Sequence, residues 1–455
     1  MRRRWLPLAG LLIGSLSLLA LARATPAPSV VLISVDALSP RYVLEADRYG
    51  LRVPELRRLL AEGSHARAVV GVLPTVTYPS HTTIVTGVSP ARHGILYNRP
   101  FDPLGRNDAG WYWYAEDIRV PTLWDAADRA GLVTSNVDWP VTVGAHIRYN
   151  IVQYWRTQTP DAPDDAKLSR VLSTPGLLAE AEQVLGPYPA GYFYTVDADR
   201  RRAAFSRWIL ETKHPRLHLA YFSGLDEEQH ASGPGSPRAM VALEQIDALV
   251  GELRAAADKA SGGKAVIALV SDHGHSRTSR ELRLNEALRE AGLIRLDGRG
   301  QPTSWRAAAW GTGGCAGIML DDPLDEDTRR RVAAILARLA AAPDSLVQEV
   351  LDADQARAAG GFSGAAFVVC ARPDVRISGA LDRPVAGPGS PEGDHGHLPA
   401  NAEMESSFLL AGPGVPAGRD LGRIDMRDIA PTLAGLLRVP LPSAEGHDVL
   451  RPPRS

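Results

Sequence analysis

The sequence predicts an α/β fold with three layers, in which helices cover both faces of a mostly parallel central sheet. Three short apolar runs have the composition of buried strands that end in acidic residues, at 30–36, 217–226 and 265–273. Longer segments with helical periodicity lie between these runs and begin at Pro54, Thr122 and Arg238. Such alternation is typical of a parallel sheet packed between helices.

Composition and charge exclude several classes of protein. The 455-residue chain is 45% hydrophobic and 22% charged, which are ordinary proportions for a packed protein. Its net charge of −2 gives no bulk attraction to nucleic acid or to an anionic membrane surface. We therefore expect no specific nucleic-acid binding, and an anionic small-molecule substrate would need a local binding site.

The first residues have the pattern of a secretory signal peptide. Arginines at 2–4 precede an apolar run at 5–22, and small residues lie on both sides of Arg23. We predict a signal peptide at 1–24, a folded domain at 25–455, and a periplasmic or secreted location. The apolar run is also near the length of a membrane-spanning helix, so an uncleaved N-terminal anchor is the alternative.

Three segments interrupt the alternation of strands and helices. They are rich in proline, glycine or aromatic residues and are predicted to be cap-like insertions over the sheet, at about 98–114, 139–199 and 343–391. The two cysteines, Cys315 and Cys370, each lie in an apolar segment. Export would permit a disulfide between them, and two buried free thiols are an equally open alternative.

The acidic residues at the strand ends form a set with several histidines. Any one of these acids could simply cap the turn or helix that follows its strand. The carboxyl ends of parallel strands meet at one edge of a sheet, however, so we expect the set to converge there. Mixed nitrogen and carboxylate ligands without thiolate suit Zn²⁺, with Mn²⁺ as a weaker option. The predicted ligands of a two-metal site are Asp36, Asp226, His230, Asp272, His273 and His395.

A hydroxyl group is predicted at the start of a helix. Thr77 precedes Tyr78 and Pro79, and an apolar helical segment follows. The unpaired amides and the dipole of a helix N-terminus favour an anion, which suits Thr77 as a nucleophile or as the carrier of a phosphate. The alternative is that Thr77 only caps the helix.

Together these motifs resemble one family. The segments VDA at Asp36, PTVTYPSHTTIVTG around Thr77, DEEQH at Asp226, SDHG at Asp272 and GDHG at His395 are similar to those of the alkaline phosphatase superfamily. Its type I phosphodiesterases and nucleotide pyrophosphatases are the most similar branch. Two departures are Ser80, where the family usually has asparagine, and Ala37, where it usually has glycine.

The resemblance implies a site, position by position. One Zn²⁺ would be held by Asp36, Thr77, Asp272 and His273, and a second by Asp226, His230 and His395. Asn98 follows Thr77 by 21 residues, where the family has an amide that donates to a phosphoryl oxygen. Tyr78 and Tyr221 stand where nucleotide-cleaving relatives stack a base, although both could be core residues. His275 and His397 each follow a ligand by two residues and could hold it in place.

The implied reaction is hydrolysis of a phosphodiester or nucleotide pyrophosphate through a phosphothreonine on Thr77. Two Zn²⁺ ions balance three carboxylates and an ionised Thr77, so a singly charged diester suits the site better than a doubly charged monoester. A monoesterase would need a further cation, for which His146 and Arg148 are the candidates. A phosphonate hydrolase and a non-catalytic binding protein are less favoured alternatives.

Overall fold

The structure of the chain is a computed structural model, which describes residues 27–107, 110–156, 159, 162, 164–390 and 392–451. The predicted signal peptide at 1–24 lies outside the described residues. Within these ranges, no helix combines the length and the apolarity needed to cross a bilayer.

Strands and helices alternate along the chain, as the sequence predicts. The described strands are β1 Ser29–Val35, β2 Ser64–His65, β3 Ala68–Val70, β4 Thr134–Val137, β5 Tyr149–Ile151, β6 Leu217–Phe222, β7 Ala265–Val270, β8 Ser276–Arg277, β9 Arg280–Leu282, β10 Ile294–Leu296, β11 Pro302–Trp305, β12 Ala307–Trp310, β13 Cys315–Leu320, β14 Val347–Asp352, β15 Phe367–Ala371, β16 Val375–Ile377, β17 Ala386–Pro388, β18 Gly393–Asp394, β19 Phe408–Ala411, β20 Arg419–Asp420 and β21 Arg423–Asp425. The described α-helices are α1 Arg41–Leu44, α2 Pro54–Glu62, α3 Thr77–Thr86, α4 Pro90–His93, α5 Leu123–Arg129, α6 Asp165–Leu172, α7 Leu177–Leu185, α8 Val196–Lys213, α9 Gly224–Ser232, α10 Pro237–Ser261, α11 Leu284–Glu290, α12 Glu326–Ala340, α13 Ala353–Ala358 and α14 Ile429–Leu437.

The central sheet has eight strands in the order β20-β2-β19-β7-β1-β6-β4-β5. Strand β1 pairs in parallel with both β6 and β7, and Ser34 is aligned with Tyr221 on one side and with Val270 on the other. Strand β19 is antiparallel to β7. Because β1, β6 and β7 end in register, the residues that follow them meet at one edge of the sheet.

Helices cover both faces of this sheet. The side chains of β1 alternate between two hydrophobic clusters, with Val31 and Ile33 on one face and Val30 and Leu32 on the other. Helices α2, α8 and α10 contribute to the first cluster, and α3, α5 and α14 contribute to the second. The predicted three-layer α/β/α fold is therefore confirmed, and the alternation of β1 is its physical basis.

A second, smaller sheet lies in sequence between β7 and β19 of the central sheet. Strands β12, β13, β15 and β14 form an antiparallel sheet in that order, and α11 and α12 pack on it in a separate hydrophobic cluster. The segment predicted as an insertion at 343–391 contains β14 and β15, which belong to this unit. Cys315 and Cys370 are directly opposed on β13 and β15 and form a disulfide.

The other two predicted insertions meet in an aromatic cluster. Trp111 and Trp113 from the first segment pack against Trp155 from the second, with ring centroids 5.0 and 4.3 Å from that of Trp155. Tyr192 and Tyr194 contact the far side of Trp155. Tyr78, which follows Thr77, belongs to the same cluster, so the aromatic side chains reach the start of α3.

The disulfide should stabilise the smaller sheet. Replacing both Cys315 and Cys370 by alanine removes a covalent link between residues 55 positions apart. We expect the free energy of unfolding to fall by up to about 4 kcal/mol, because the unfolded chain gains conformational entropy. Chemical denaturation measures the change. Thiol titration of the unfolded, unreduced wild type should find no free thiol, and two free thiols would contradict the pairing.

Candidate metal centre

Three parallel strands deliver the predicted metal ligands to one edge of the sheet. Asp36 directly follows β1, Asp272 and His273 follow β7, and Asp226 lies in the first turn of α9, just after β6. Thr77 is the first residue of α3. The residue before it, Val76, has an extended backbone, and no side chain caps the helix at that position. The predicted helix start at Thr77 is thus confirmed.

The first group of side chains surrounds His273. Its Nε2 atom lies 3.4 Å from Asp36 Oδ1 and 3.3 Å from Asp272 Oδ2. Thr77 Oγ1 lies 3.5 Å from the same nitrogen. These four side chains are buried, and the structure brings together all the residues predicted for one metal.

The second group surrounds Asp226. His230 Nε2 lies 3.4 Å from Asp226 Oδ2, and His395 Nε2 lies 4.0 Å from Asp226 Oδ1. His275 Nε2 is closer still, 3.0 Å from Asp226 Oδ1. The two groups touch, since the rings of His273 and His395 stack with centroids 3.7 Å apart. All residues predicted for the second metal are therefore adjacent to those predicted for the first.

Two buried carboxylate oxygens in this cluster have no hydrogen-bond partner. Asp36 Oδ1 and Asp272 Oδ2 are inaccessible to solvent and accept no hydrogen bond. Burial, followed by the charges of Asp272 and Asp226, raises the pKa of Asp36 well above its ordinary value. Crowded carboxylates with free oxygens and no counterion are the environment that a divalent cation stabilises. Two sets have ligand atoms close enough to hold an ion, Asp36 with Asp226 and His273, and Asp226 with His230, His275 and His395.

Backbone carbonyls orient the histidines. The Nδ1 atom of His230 lies 3.0 Å from Gly393 O, that of His395 lies 3.1 Å from Thr75 O, and that of His273 lies 3.1 Å from Gly274 O. If each Nδ1 carries the proton and donates it to its carbonyl, each Nε2 keeps a free lone pair directed into the cluster. This pattern fits zinc, which binds neutral imidazole nitrogen.

Without a bound cation, the ion pair between Asp226 and His230 dominates the electrostatics of the second group. Burial lowers the pKa of His230, but Asp226 raises it to about 10. Burial likewise acts to raise the pKa of Asp226, and His230, His275 and His395 hold it well below its ordinary value. Asp226 therefore stays ionised in the presence of the histidines.

Asn98 is held beside the start of α3. The Tyr78 amide donates to Asn98 Oδ1 over 2.9 Å, which leaves the Nδ2 group of Asn98 as a donor for another partner. Because Tyr78 is the residue after Thr77, this bond places the Asn98 amide next to the predicted nucleophile.

The two tyrosines predicted to stack a base are both 1% exposed. Tyr221 donates a hydrogen bond to Asp36 Oδ2, and Tyr78 donates to Gln153 Oε1 over 2.6 Å. The ring of Tyr78 contacts Trp111, with centroids 5.2 Å apart. Both tyrosines lie beside predicted site residues, because Tyr221 contacts Asp36 and Tyr78 follows Thr77 directly. Stacking of either ring on a base stays a prediction.

The structure does not bring Arg148 to this site. The backbone amide of Arg148 donates to Thr134 Oγ1. Thr134 is the first residue of β4 and is aligned with the first residue of β6, so this contact lies at the edge of the sheet where these strands begin. Arg148 is exposed at the opposite edge of the sheet from Asp36. His146 is also exposed there, 3.9 Å from Asp125. No pattern in the sequence indicates that a parallel strand, β5, begins just after Arg148.

Three buried histidines that are not predicted ligands also have defined contacts. His81 Nδ1 lies 2.8 Å from Thr77 O and 3.4 Å from Asp272 Oδ2, and its Nε2 lies 2.9 Å from Ser34 Oγ. No spacing in the sequence signals these contacts. Of the two histidines expected to support ligands, His275 contacts Asp226, whereas His397 Nε2 lies 2.9 Å from Val375 O.

Comparison with known proteins identifies a family and a fold. The model of the family described as type I phosphodiesterase / nucleotide pyrophosphatase matches residues 30–396. An uncharacterized pyrophosphatase/phosphodiesterase of Schizosaccharomyces pombe is 28% identical over 55% of this chain and 45% of its own length. Human ectonucleotide pyrophosphatase/phosphodiesterase family member 1 is 24% identical over 59% of this chain and 26% of its own length. The chain thus spans less than half the length of these curated relatives.

Solved structures show the same fold. Murine ectonucleotide pyrophosphatase/phosphodiesterase 5 superimposes with a TM-score of 0.65 at 20% identity, over 92% of this chain and 96% of the murine one. An inactive variant of that murine protein, in which a threonine is replaced by alanine, is known in complex with AMP with the same TM-score and coverage. Since the family model covers most of the sequence, the chain belongs to the type I phosphodiesterase / nucleotide pyrophosphatase family.

Proposed function

We propose that the chain is an exported, zinc-dependent phosphohydrolase that cleaves phosphodiester or nucleotide pyrophosphate bonds through a phosphothreonine on Thr77. The observation that carries this proposal is the position of Thr77 Oγ1, 3.5 Å from His273 Nε2. The same nitrogen contacts the buried oxygens of Asp36 and Asp272 that accept no hydrogen bond. Family membership supports the same class of reaction. A threonine hydroxyl needs activation to act as a nucleophile, and no other described group is better placed to be activated.

Two Zn²⁺ ions suit the donors of the two groups. The first would be held by Asp36, Asp272, His273 and the Thr77 oxygen, and the second by Asp226, His230 and His395. Zinc bound there would supply positive charge that favours an ionised hydroxyl and stabilises the charge of the transition state. His275 adds a further nitrogen beside Asp226, which the resemblance alone does not assign to a metal.

The residues of the chain have distinct roles in the two steps. In the first step, Thr77 Oγ1 gives its proton to solvent and bonds to phosphorus, while the bond from phosphorus to the leaving-group oxygen breaks and that oxygen keeps the electron pair. In the second step, a water oxygen bonds to phosphorus and gives a proton to solvent, the bond from phosphorus to Thr77 breaks, and the Thr77 oxygen takes up a proton from solvent. The Asn98 amide donates to a phosphoryl oxygen in both steps, because its carbonyl is fixed by the Tyr78 amide.

A diester or phosphoanhydride fits the site better than a phosphomonoester. The monoesterase alternative depended on a further cation from the VGAHIRYN segment, and both His146 and Arg148 lie away from the centre. The murine relative known with AMP supports a nucleotide as the group transferred to Thr77. The signal-peptide pattern at 1–24 supports export.

Replacing Thr77 by alanine should abolish turnover. We expect kcat for a nucleotide p-nitrophenyl ester to fall by at least about 1,000-fold, since the variant lacks the group that bonds to phosphorus. Zinc content, measured by elemental analysis, should be nearly unchanged, because histidine and carboxylate ligands remain.

Thr86→Ala is the matched control. Thr86 is in the same helix and is buried, but its hydroxyl donates to Thr82 O, so its loss should leave kcat within about threefold. A Thr77→Ala variant with a comparable rate would show that another group is the nucleophile.

Removing His395 should remove one metal. We expect wild-type protein to retain two zinc equivalents after dialysis and His395→Ala to retain one, because losing one of the four side chains that can hold an ion there, Asp226, His230, His275 and His395, weakens zinc binding at this group. His447→Ala is the control, since His447 is exposed and pairs with Asp428. Elemental analysis that finds equal zinc in the wild type and in His395→Ala would exclude His395 as a ligand.

A further inference from the structure

An unpaired arginine stands directly after Asn98. The Arg99 guanidinium lies over the ring of Trp111, 5.2 Å from its centroid, and the residue is half-buried. Its backbone is fixed, since Trp310 Nε1 donates to Arg99 O over 2.9 Å. Among the described residues, no carboxylate forms an ion pair with Arg99. A partly desolvated guanidinium on an aromatic face, with its donors free, is suited to bind an anion.

Arg99 lines a cleft beside the metal centre. The cleft has a volume of about 870 Å³ and is lined by Asn98, Arg99, Phe101, Trp111, Trp310 and Thr312, among others. This volume is typical of a small-molecule site. The Tyr97 hydroxyl donates to Thr312 O over 2.8 Å and so joins two walls of the cleft. Asn98, the residue predicted to donate to a phosphoryl oxygen, is itself part of the cleft lining, so the cleft adjoins the predicted phosphoryl position.

The opposite side of the cleft leads to the second metal group. Gly313, the residue after Thr312, packs so closely on His395 that a Cβ atom there would lie 2.5 Å from His395 O.

We propose that Arg99 and this cleft bind the phosphate-bearing leaving group of a phosphoanhydride, so that the chain prefers nucleotide pyrophosphates to diesters with uncharged or weakly charged leaving groups. The inference rests on the hydrolase function proposed above. A leaving diphosphate carries several negative charges, and a guanidinium can donate two parallel hydrogen bonds to it. An aryl alcohol offers no such acceptor, so Arg99 discriminates between the two kinds of leaving group.

Two substrates that share the transferred nucleotidyl group but differ in the leaving group isolate the effect of Arg99 on the leaving group. ATP and the p-nitrophenyl ester of AMP deliver the same nucleotidyl group to Thr77 and differ only in the leaving group. We expect Arg99→Met to lower kcat/KM for ATP by about 10- to 100-fold, which is the loss expected for a charged hydrogen-bonding partner. For the ester, kcat/KM should change by less than about threefold. Arg99→Lys should recover part of the loss with ATP, because it keeps the charge without the planar fork.

Arg148→Met is the matched control, because it removes an exposed arginine at the opposite edge of the sheet. It should leave kcat/KM unchanged for both substrates. Equal losses with ATP and the ester in Arg99→Met, or no loss with either, would overturn the role of Arg99 while leaving the hydrolase function intact. A wild type that cleaves neither substrate would refute the proposed function and this inference with it.

Binding gives a readout that is independent of turnover. Calorimetry with the zinc-loaded protein compares AMP with the α,β-methylene analogue of ATP, which cannot be cleaved at that position. We expect the analogue to bind the wild type about tenfold more tightly than AMP, and Arg99→Met to remove that difference without changing the Kd of AMP. An advantage for the analogue that persists in Arg99→Met would contradict the proposal.

Discussion

The charge crowded at one edge of the central sheet is the constraint on which the rest of the site depends. Asp36, Asp226 and Asp272 follow three adjacent parallel strands, and their register leaves no freedom to separate them. Burial and neighbouring carboxylates raise the pKa of Asp36, so the cluster opposes its own ionisation. A divalent cation reverses that cost, because it offers each free carboxylate oxygen a positive partner. The fold therefore favours metal binding as a consequence of strand order.

Much of the surrounding structure fixes the direction of these ligands. The backbone carbonyl oxygens of Gly393, Gly274 and Thr75 contact the Nδ1 atoms of His230, His273 and His395. Tyr221 donates to Asp36, and His81 contacts both the Thr77 carbonyl and Asp272. A metal site needs ligands that are already oriented before the ion binds, because reorganisation would reduce affinity. The unusual density of histidine contacts with the backbone is explained by that requirement.

The sequence predicted the parts of the fold that depend on local pattern. Buried strands ending in acids, and a helix beginning at Thr77, follow from periodicity and from the position of Pro79. It could not determine features set by long-range pairing. The Cys315–Cys370 disulfide depends on the alignment of β13 with β15, and the position of Arg148 depends on the direction of the short strand β5. The surroundings of Arg99 are another such feature, since it contacts Trp111 and Trp310, which are distant from it in sequence.

A buried polar network links the aromatic cluster around Tyr78 to the helix that carries Asp226. The Tyr78 hydroxyl contacts Gln153, and Asp138 forms an ion pair with Arg202 at 2.9 Å. Arg202 also pairs with Asp199 at 3.0 Å, and Asp199 accepts hydrogen bonds from the backbone amides at the start of α9. Buried charges are costly unless every partner is present, so the network is sensitive to small displacements. The aromatic cluster around Tyr78 and the start of the helix that carries Asp226 are consequently held in place by one buried network.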